Sequence, residues 1–214
     1  MERKALLFND HYETMPWDAV DTVVFDIGNV LMRFDPPYVL QKMVEDPQLR
    51  ETMMEKVFRN PLWLELDRGT LSYDDAPRLM AQGDKQLEQE IERLFAGWCD
   101  HKAIIPQGWA AANACAAHGK KLCLLSNYHR EAFAYNLEHY DIFKLFDVRL
   151  ISCYVHQLKP DPEIYDTLIH VSGLDPARSV FLDDTEKNVR GAMDAGIHGY
   201  WVRSDEEMGR FFGV

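Results

Sequence analysis

The chain has 214 residues, 47% hydrophobic and 27% charged, a composition typical of a globular protein with one large domain, or with a core domain that carries a smaller insert. Thirty-five acidic residues against 23 basic ones give a formal net charge of -12. This charge disfavours nucleic acid as a partner, because polyphosphates are repelled. A small phosphorylated molecule remains compatible with it, since a divalent cation can reverse the field locally.

Cysteine spacing and hydropathy indicate where the protein works. The spacing of the four cysteines fits neither a zinc site nor a disulfide framework, so reduced thiols are expected. The apolar run near the N-terminus is too short for a signal peptide, and no stretch approaches the roughly 20 apolar residues of a membrane span. We therefore expect a cytoplasmic protein with no membrane partner.

The first predicted strand covers residues 22–26, a β-branched and aromatic run that ends before Gly28 and Asn29. A continuous apolar run of this kind is typical of a central parallel strand that is covered on both faces. After residue 106, strands and helices alternate, which indicates a parallel sheet built by βα crossovers. The predicted elements there are helices over 107–118, 162–173 and 185–195, a helix from Arg130, and strands over 122–125, 148–152, 179–182 and 200–202.

Residues 35–105 break this alternation, because they predict helices over 37–45, 47–59 and 86–96 and after Ser72, without a convincing strand. We expect this insert to form a small cap over the carboxyl edge of the sheet, where open α/β sheets bind ligands. The predicted organisation is an α/β core over 17–34 and 106–214, a helical cap over 35–105, and an N-terminal extension over 1–16 to which the sequence assigns no role.

Polar residues follow several of the predicted core strands, at or just beyond the point where each strand ends. Each one alone is a common turn or helix-capping residue. Together they form an ordered set of acid, hydroxyl, lysine and paired acids on one sheet edge, which is much harder to obtain by accident. The set consists of Asp26, Ser126, Asn127, Lys159, Asp183 and Asp184.

This set suits the chemistry of a phosphate ester, an anion that must be neutralised and held in line for attack. The Asp26 carboxylate can attack phosphorus and form an aspartyl-phosphate, which water then hydrolyses. Ser126 and neighbouring backbone N–H groups can hold the phosphoryl oxygens, and Lys159 can offset the accumulated negative charge. Asp184 can complete a site for a divalent cation that is bound through carboxylates.

The segments 23–31, 124–127, 159–165 and 180–188 resemble the four motifs of the haloacid dehalogenase-like hydrolase superfamily. The resemblance implies a Rossmann-like parallel sheet with a helical C1 cap inserted after the first strand. It also implies magnesium-dependent hydrolysis of a small phosphorylated metabolite. Asp26 and Lys159 are the implied catalytic residues, and Ser126, Asn127 and Lys159 the implied phosphate-binding ones.

The same resemblance implies a magnesium site made by the Asp26 carboxylate, the Gly28 backbone carbonyl and the Asp184 carboxylate. Asp183 and Asn188 are then expected near the metal without binding it directly, and Asn188 stands where many relatives have a further acid. The sequence does not indicate the oligomeric state.

Gly28 departs from the pattern, because most phosphatases of the superfamily carry a second aspartate there as general acid and base. Three interpretations stay open. The first is a phosphatase whose leaving group needs little protonation, such as a hexose 1-phosphate; the segment 25–30 is similar to a subgroup that includes bacterial α-D-glucose-1-phosphate phosphatases. The second is a 2-haloacid dehalogenase, and the third is a weakly active binding or regulatory relative.

The segment 67–71 superficially resembles a second nucleophile motif, but no β-branched strand precedes it. We predict a turn of the cap in which Gly69 reverses the chain and Ser72 caps the next helix, with Asp75 as its acid partner. Such a turn could still reach the substrate.

Two histidines and three tryptophans are better explained by structure than by catalysis. His129 and His156 could face the pocket, but surface positions are predicted for both. Trp63, Trp98 and Trp109 are predicted to belong to the core rather than to a sugar-stacking platform.

Overall fold

The structure, a computed structural model, describes residues 4–214, so residues 1–3 of the predicted N-terminal extension lie outside the described residues. Five parallel strands form one sheet in the order β3-β2-β1-β4-β5. The strands are β1 (Thr22–Phe25), β2 (Lys121–Ser126), β3 (Val148–Ile151), β4 (Ser179–Asp183) and β5 (His198–Trp201). The predicted α/β class and parallel sheet are confirmed.

Eleven α-helices occur in residues 4–214, and none of them combines the length and the apolar character needed to cross a bilayer. They are α1 (Pro36–Met43), α2 (Pro47–Met53), α3 (Pro61–Arg68), α4 (Ala76–Ala81), α5 (Lys85–Gly97), α6 (Pro106–Ala117), α7 (Arg130–His139), α8 (Ser152–Val155), α9 (Pro162–Ser172), α10 (Glu186–Asp194) and α11 (Asp205–Phe212).

β1 is the central strand, and its side chains alternate between two hydrophobic clusters. Val23 and Phe25 pack into a cluster that includes residues of α6 and α11. Val24 points to the opposite face, where it packs with residues of α9 and α10. Since both faces are covered, every residue of β1 is buried, which explains its continuous apolar sequence.

Helices α1 to α5 bury a third hydrophobic cluster, with Leu40, Met53 and Ile91 among its fully enclosed members. Our division of the chain into core and cap stays a prediction. Helix α3 was not predicted, although Asn60 caps its N-terminus and Gly69 ends it in the left-handed conformation. Helix α11, which begins after a Ser204 cap with three acids in the first turn, was not predicted either.

The N-terminal segment, residues 4–16, lies against the outer strand β5. The backbone of Leu6 donates to His198 Nδ1 and accepts from the Gly199 N–H, both at 2.9 Å. Phe8 is buried, and the Met15 N–H donates to the Phe211 carbonyl at 2.8 Å. The segment therefore covers the free edge of β5 and contacts the end of α11.

Candidate active site

The carboxyl ends of β1, β2 and β4 meet at one edge of the sheet, as the parallel topology requires. The Asp26 N–H donates to the Leu182 carbonyl at 2.9 Å, which places Asp26 beside Asp183. A cavity of about 410 Å³ opens at this edge beneath the cap. The sequence-predicted residues in its wall are Asp26, Gly28, Ser126, Asn127, Lys159, Asp184 and Asn188.

Lys159 joins two of the acids from a fully enclosed position. Its Nζ lies 2.9 Å from Asp26 Oδ1 and 2.6 Å from Asp183 Oδ2. Burial disfavours the ammonium ion, but the charges of Asp183 and Asp26 outweigh it and raise the pKa of Lys159 above its ordinary value. Lys159 is therefore a fixed positive charge against the Asp26 carboxylate.

Asp183 is completely buried, and protein donors occupy both of its carboxylate oxygens. Oδ1 accepts from the Thr185 N–H at 2.7 Å, Oδ2 accepts from Lys159, and Asn188 Nδ2 lies 3.1 Å from each oxygen. Burial raises the pKa of Asp183 to about 7, with Lys159 opposing the shift and Asp26 adding to it. These bonds favour a role in orienting Lys159 and Asn188.

Asp184, in contrast, lies in the cavity wall with fewer protein partners. Its Oδ2 accepts from Asn29 Nδ2 at 2.9 Å. Burial raises its pKa, the charge of Asp26 adds to the effect, and Asn29 opposes it. Asn29 has a left-handed backbone with φ 50° and also accepts from the Phe34 N–H, at 3.1 Å. Asn29 was not predicted to belong to the site, although asparagine is among the few residues that tolerate this conformation.

The acids form a group with the properties of a metal site. Asp26, Asp183 and Asp184 each offer an oxygen within 4.8 Å of the others. Against the Lys159 ammonium, these carboxylates leave an excess of two negative charges when all are ionised. Asn188 Oδ1 is buried without a hydrogen-bond partner among the described residues. Such a set of oxygen donors fits a hard divalent cation such as Mg²⁺.

Ser126 and Asn127 differ in what their side chains are free to do. Ser126 Oγ is buried at the end of β2 and has no hydrogen-bond partner among the described residues. The Asn127 amide, in contrast, makes two bonds to the backbone of Lys159, at 2.8 and 3.0 Å. The Ser126 hydroxyl is thus available to a ligand, whereas the Asn127 side chain holds the Lys159 segment in place.

The family model described as "Hydrolase: haloacid dehalogenase-like hydrolase" matches residues 20–196. The chain belongs to this family. It is also similar to the D-ribitol-5-phosphate phosphatase of Bacteroides thetaiotaomicron, with 21% identity over 190 residues that cover 85% of this chain and 91% of the relative.

Solved structures of the family share the fold. A HAD family enzyme from Bacteroides thetaiotaomicron, in complex with magnesium and inorganic phosphate, has a TM-score of 0.67 and 19% identity, covering 85% of this chain and 93% of that chain. A dehalogenase structure has a TM-score of 0.70 and 17% identity, covering 89% of this chain and 96% of that chain. At these identities the likeness establishes the fold alone.

The cap side of the cavity of this haloacid dehalogenase-like hydrolase is aromatic. Trp109 belongs to the sheet core as predicted, where its Nε1 donates to the Leu31 carbonyl at 3.0 Å. Trp98 is buried in the cap cluster and Trp63 packs against that cluster, yet both also line the cavity. The prediction of a purely structural role is therefore incomplete for these two tryptophans.

His129 begins α7 as predicted, but the prediction of a surface position is wrong, because the side chain is buried and lines the cavity. Its Nδ1 accepts from the Ala132 N–H at 3.4 Å, and the rings of Trp63, Tyr73 and Trp98 lie around it. Burial lowers the pKa of His129. The cap covers this position, and a local sequence pattern carries no information on that contact.

His156 is exposed, as predicted. Gly69 reverses the chain as predicted, with a φ of 76°. Asp67 belongs to the last turn of α3 and lines the cavity, so the segment 67–71 does reach the site. Burial raises the pKa of Asp67 to about 7, and the charge of Asp26 adds to this shift.

Proposed function

We propose that this chain is a magnesium-dependent phosphatase that hydrolyses a small phosphorylated metabolite through an aspartyl-phosphate on Asp26. The observation that carries the proposal is the position of the Asp26 carboxylate. It lies 2.9 Å from the Lys159 ammonium and within 4.8 Å of oxygens of Asp183 and Asp184, in the wall of the cavity beneath the cap. A carboxylate in this position can attack a phosphorus atom whose oxygens are held by opposite charge.

In this proposal each residue has a separate task. Asp26 attacks phosphorus, while the Ser126 Oγ–H donates to a phosphoryl oxygen and Lys159 balances the negative charge. Asp26, the Gly28 carbonyl and Asp184 would hold Mg²⁺. Asp183 and Asn188 would orient these groups without binding the cation directly. When bound, the cation supplies positive charge to the phosphoryl oxygens and keeps the group in line.

The cavity supports a small substrate of the sugar-phosphate or polyol-phosphate class. Its volume of about 410 Å³ lies in the range of small-molecule pockets. The wall combines the rings of Trp63 and Trp98 with the polar side chains of Arg68 and His129, a mixture suited to a molecule with many hydroxyl groups. The similar phosphatase from Bacteroides acts on a polyol phosphate, as its name states, and this supports the same class here.

Two other functions remain candidates, each for a specific reason. Gly28 leaves the site without a second acid next to Asp26, which favours a weakly active binding or regulatory protein. The similarity in fold to a dehalogenase allows haloacid chemistry. The cluster of Asp183 and Asp184 argues against the latter, because a metal-independent displacement of halide has no use for it.

The decisive experiment measures inorganic phosphate released from a panel of sugar and polyol phosphates, with magnesium and with a chelator. We expect release from at least one ester that stops when magnesium is removed. Halide released from 2-haloacids without metal would contradict the proposal. Binding of these esters without any turnover would instead support the regulatory alternative.

Asp26→Asn is the matched variant for this assay. The amide keeps the shape of the side chain but loses the charge and the nucleophilic oxygen, so turnover should fall below detection while thermal unfolding stays cooperative. Appreciable phosphate release by Asp26→Asn would exclude the aspartyl-phosphate route.

A further inference from the structure

Departure of the leaving group is the step for which the proposed site has no obvious residue. When Asp26 attacks the phosphorus of an alkyl phosphate, the alkoxide oxygen that leaves needs a proton, and such help is typically worth a factor of about 10² to 10⁴. Gly28 offers no side chain, although a Cβ there would meet no atom within 4 Å and its backbone is not left-handed. The space beside Asp26 is therefore open, and an acid from another element could serve it.

We propose that Asp67, from the cap helix α3, is the general acid that protonates the leaving group. This inference rests on the proposed phosphatase function and adds a catalytic residue to it. Asp67 lines the same cavity as Asp26 and is partly buried, with its remaining exposure at the cavity. It thus supplies from the cap the acidic side chain that Gly28 lacks.

The end of α3 is fixed to the core next to the cavity. The Ser152 Oγ–H donates to the Asp67 carbonyl. Ser152 Oγ also accepts a hydrogen bond from the Tyr128 N–H at 2.9 Å. The His156 Nδ1–H donates to the Arg68 carbonyl at 2.9 Å. These bonds connect the backbone at the end of α3 to the loop after β2 and to α8.

Gly69 brings the two backbones closer than any other residue could. A Cβ at this position would lie 2.3 Å from the Cys153 carbonyl oxygen. The close approach lets α3 pack directly on α8. A catalytic group must be held within a fraction of an ångström to be effective, and this contact provides such support for Asp67.

The protonation state of Asp67 suits an acid that must later act as a base. With a pKa of about 7, caused first by burial and then by the charge of Asp26, both forms are populated near neutral pH. His129 is a weaker candidate, because burial lowers its pKa and leaves a neutral ring that gives up a proton poorly. The charged and titratable groups around Asp67 are Asp26, Lys159, Arg68, Tyr128, His129 and Cys153.

The two half-reactions balance in protons and bonds. In the first, an Asp26 oxygen bonds to phosphorus, the ester P–O bond breaks, and the Asp67 proton moves to the departing oxygen to give an alcohol. In the second, the Asp67 carboxylate takes a proton from water as the water oxygen bonds to phosphorus. The aspartyl P–O bond then breaks, which releases phosphate and restores both side chains.

The test compares leaving groups in the full-length protein with magnesium. We expect Asp67→Asn to lower kcat/KM by about 100-fold or more for a polyol phosphate, or for a sugar phosphate esterified at a primary alcohol, because these simple alkoxides need the proton. For p-nitrophenyl phosphate, whose phenolate leaves unaided, we expect a loss of less than about tenfold. The control is Asp74→Asn, an exposed acid of the same cap, which should change neither value.

The assignment would be overturned if Asp67→Asn lowered kcat/KM equally for both substrates, or lowered it for neither. If the unchanged protein released phosphate from no ester at all, the proposed phosphatase function would be wrong, and the assignment of Asp67 with it. The two failures are therefore distinguishable.

A pH profile and a rescue variant exclude a purely structural effect. Since the protonated form of Asp67 is required, kcat/KM for the alkyl ester should fall as the pH rises through about 7, and Asp67→Asn should lose this limb. Adding Gly28→Asp to the Asp67→Asn variant should raise kcat/KM for the alkyl ester at least tenfold, because the added side chain enters open space. If kcat/KM of Asp67→Asn still fell through about pH 7, or if Gly28→Asp restored no activity to it, the assignment of Asp67 as the general acid would be contradicted.

Discussion

Ser126 is an exception to the rule that buried polar groups find partners. Leaving such a hydroxyl unpaired costs about 1–3 kcal/mol, and no described residue offers Ser126 Oγ a bond. A buried, unpaired donor at the end of a central strand is the expected state of a binding group before its ligand arrives. The Asn188 Oδ1 atom is in the same situation.

Ser126→Ala should therefore separate activity from stability. Loss of a bond to a charged phosphoryl oxygen is worth about 1.5–3 kcal/mol, which corresponds to roughly a 10- to 150-fold decrease in kcat/KM. The free energy of unfolding should stay the same or rise, because an unpaired polar atom is removed. Chemical denaturation and steady-state kinetics measure the two quantities.

Ser179→Ala is the matched control, a buried strand serine whose Oγ donates to the Asp175 carbonyl at 2.6 Å. It should lose about 1 kcal/mol of unfolding free energy and keep its activity. A Ser126→Ala variant that behaved like this control would contradict the assignment of Ser126 to the phosphoryl group.

The residues at the strand ends could be placed from sequence, whereas those from the cap could not. Asp26, Ser126 and Asp184 follow parallel strands, so topology alone brings them to one edge. The contribution of Asp67 and the burial of His129 depend on how the cap packs on the core. That packing involves residues distant in sequence, and no local pattern records it.

At the scale of elements, the contact of α3 with α8 connects the cap to the site. Gly69→Ala tests it, because a Cβ would meet the Cys153 carbonyl at 2.3 Å and the backbone is left-handed. We expect a loss of unfolding free energy above the roughly 1–2 kcal/mol of the left-handed conformation alone. We also expect a clear decrease in kcat, since α3 carries Asp67.

Gly83→Ala provides the comparison, because Gly83 is also left-handed and lies in the cap, but its Cβ would meet nothing within 4 Å. Gly83→Ala should lose the unfolding free energy that the left-handed conformation costs, without a decrease in kcat. If both variants changed kcat to the same extent, the docking of α3 would not be what positions the acid.

Helix α3 itself could have been predicted from the sequence. Asn60 followed by Pro61 and then by Gly69 is a complete set of start and stop signals for a short helix. The same holds for α11, where Ser204 precedes three acids. Both helices have only eight residues. α3 lies outside the alternation of strands and helices that identified the core, and α11 follows the last strand of that alternation.

For the whole molecule, the main electrostatic property is that a chain with a net charge of -12 gathers three carboxylates at one site, where Lys159 pairs with two of them. Binding of a cation to the folded state alone stabilises a protein by about 2.7 kcal/mol at 100 times its Kd. Magnesium should therefore raise the Tm, and a chelator should reverse the shift.

Asp184→Asn should remove most of this magnesium-dependent increase in Tm. Asp194→Asn, which neutralises an exposed acid at the end of α10, should keep it in full. Equal shifts in the two variants, measured by differential scanning calorimetry, would show that the cation stabilises the fold from somewhere else.

The N-terminal segment along β5 has a consequence for how copies of the chain meet in solution. An outer strand with free backbone groups is a template on which a second molecule can add its own strand. Here Leu6 already occupies the Gly199 amide, and buried Phe8 anchors the segment. Removing residues 1–16 should thus increase self-association through the sheet edge, a change visible by size-exclusion chromatography with light scattering of the full-length and shortened proteins.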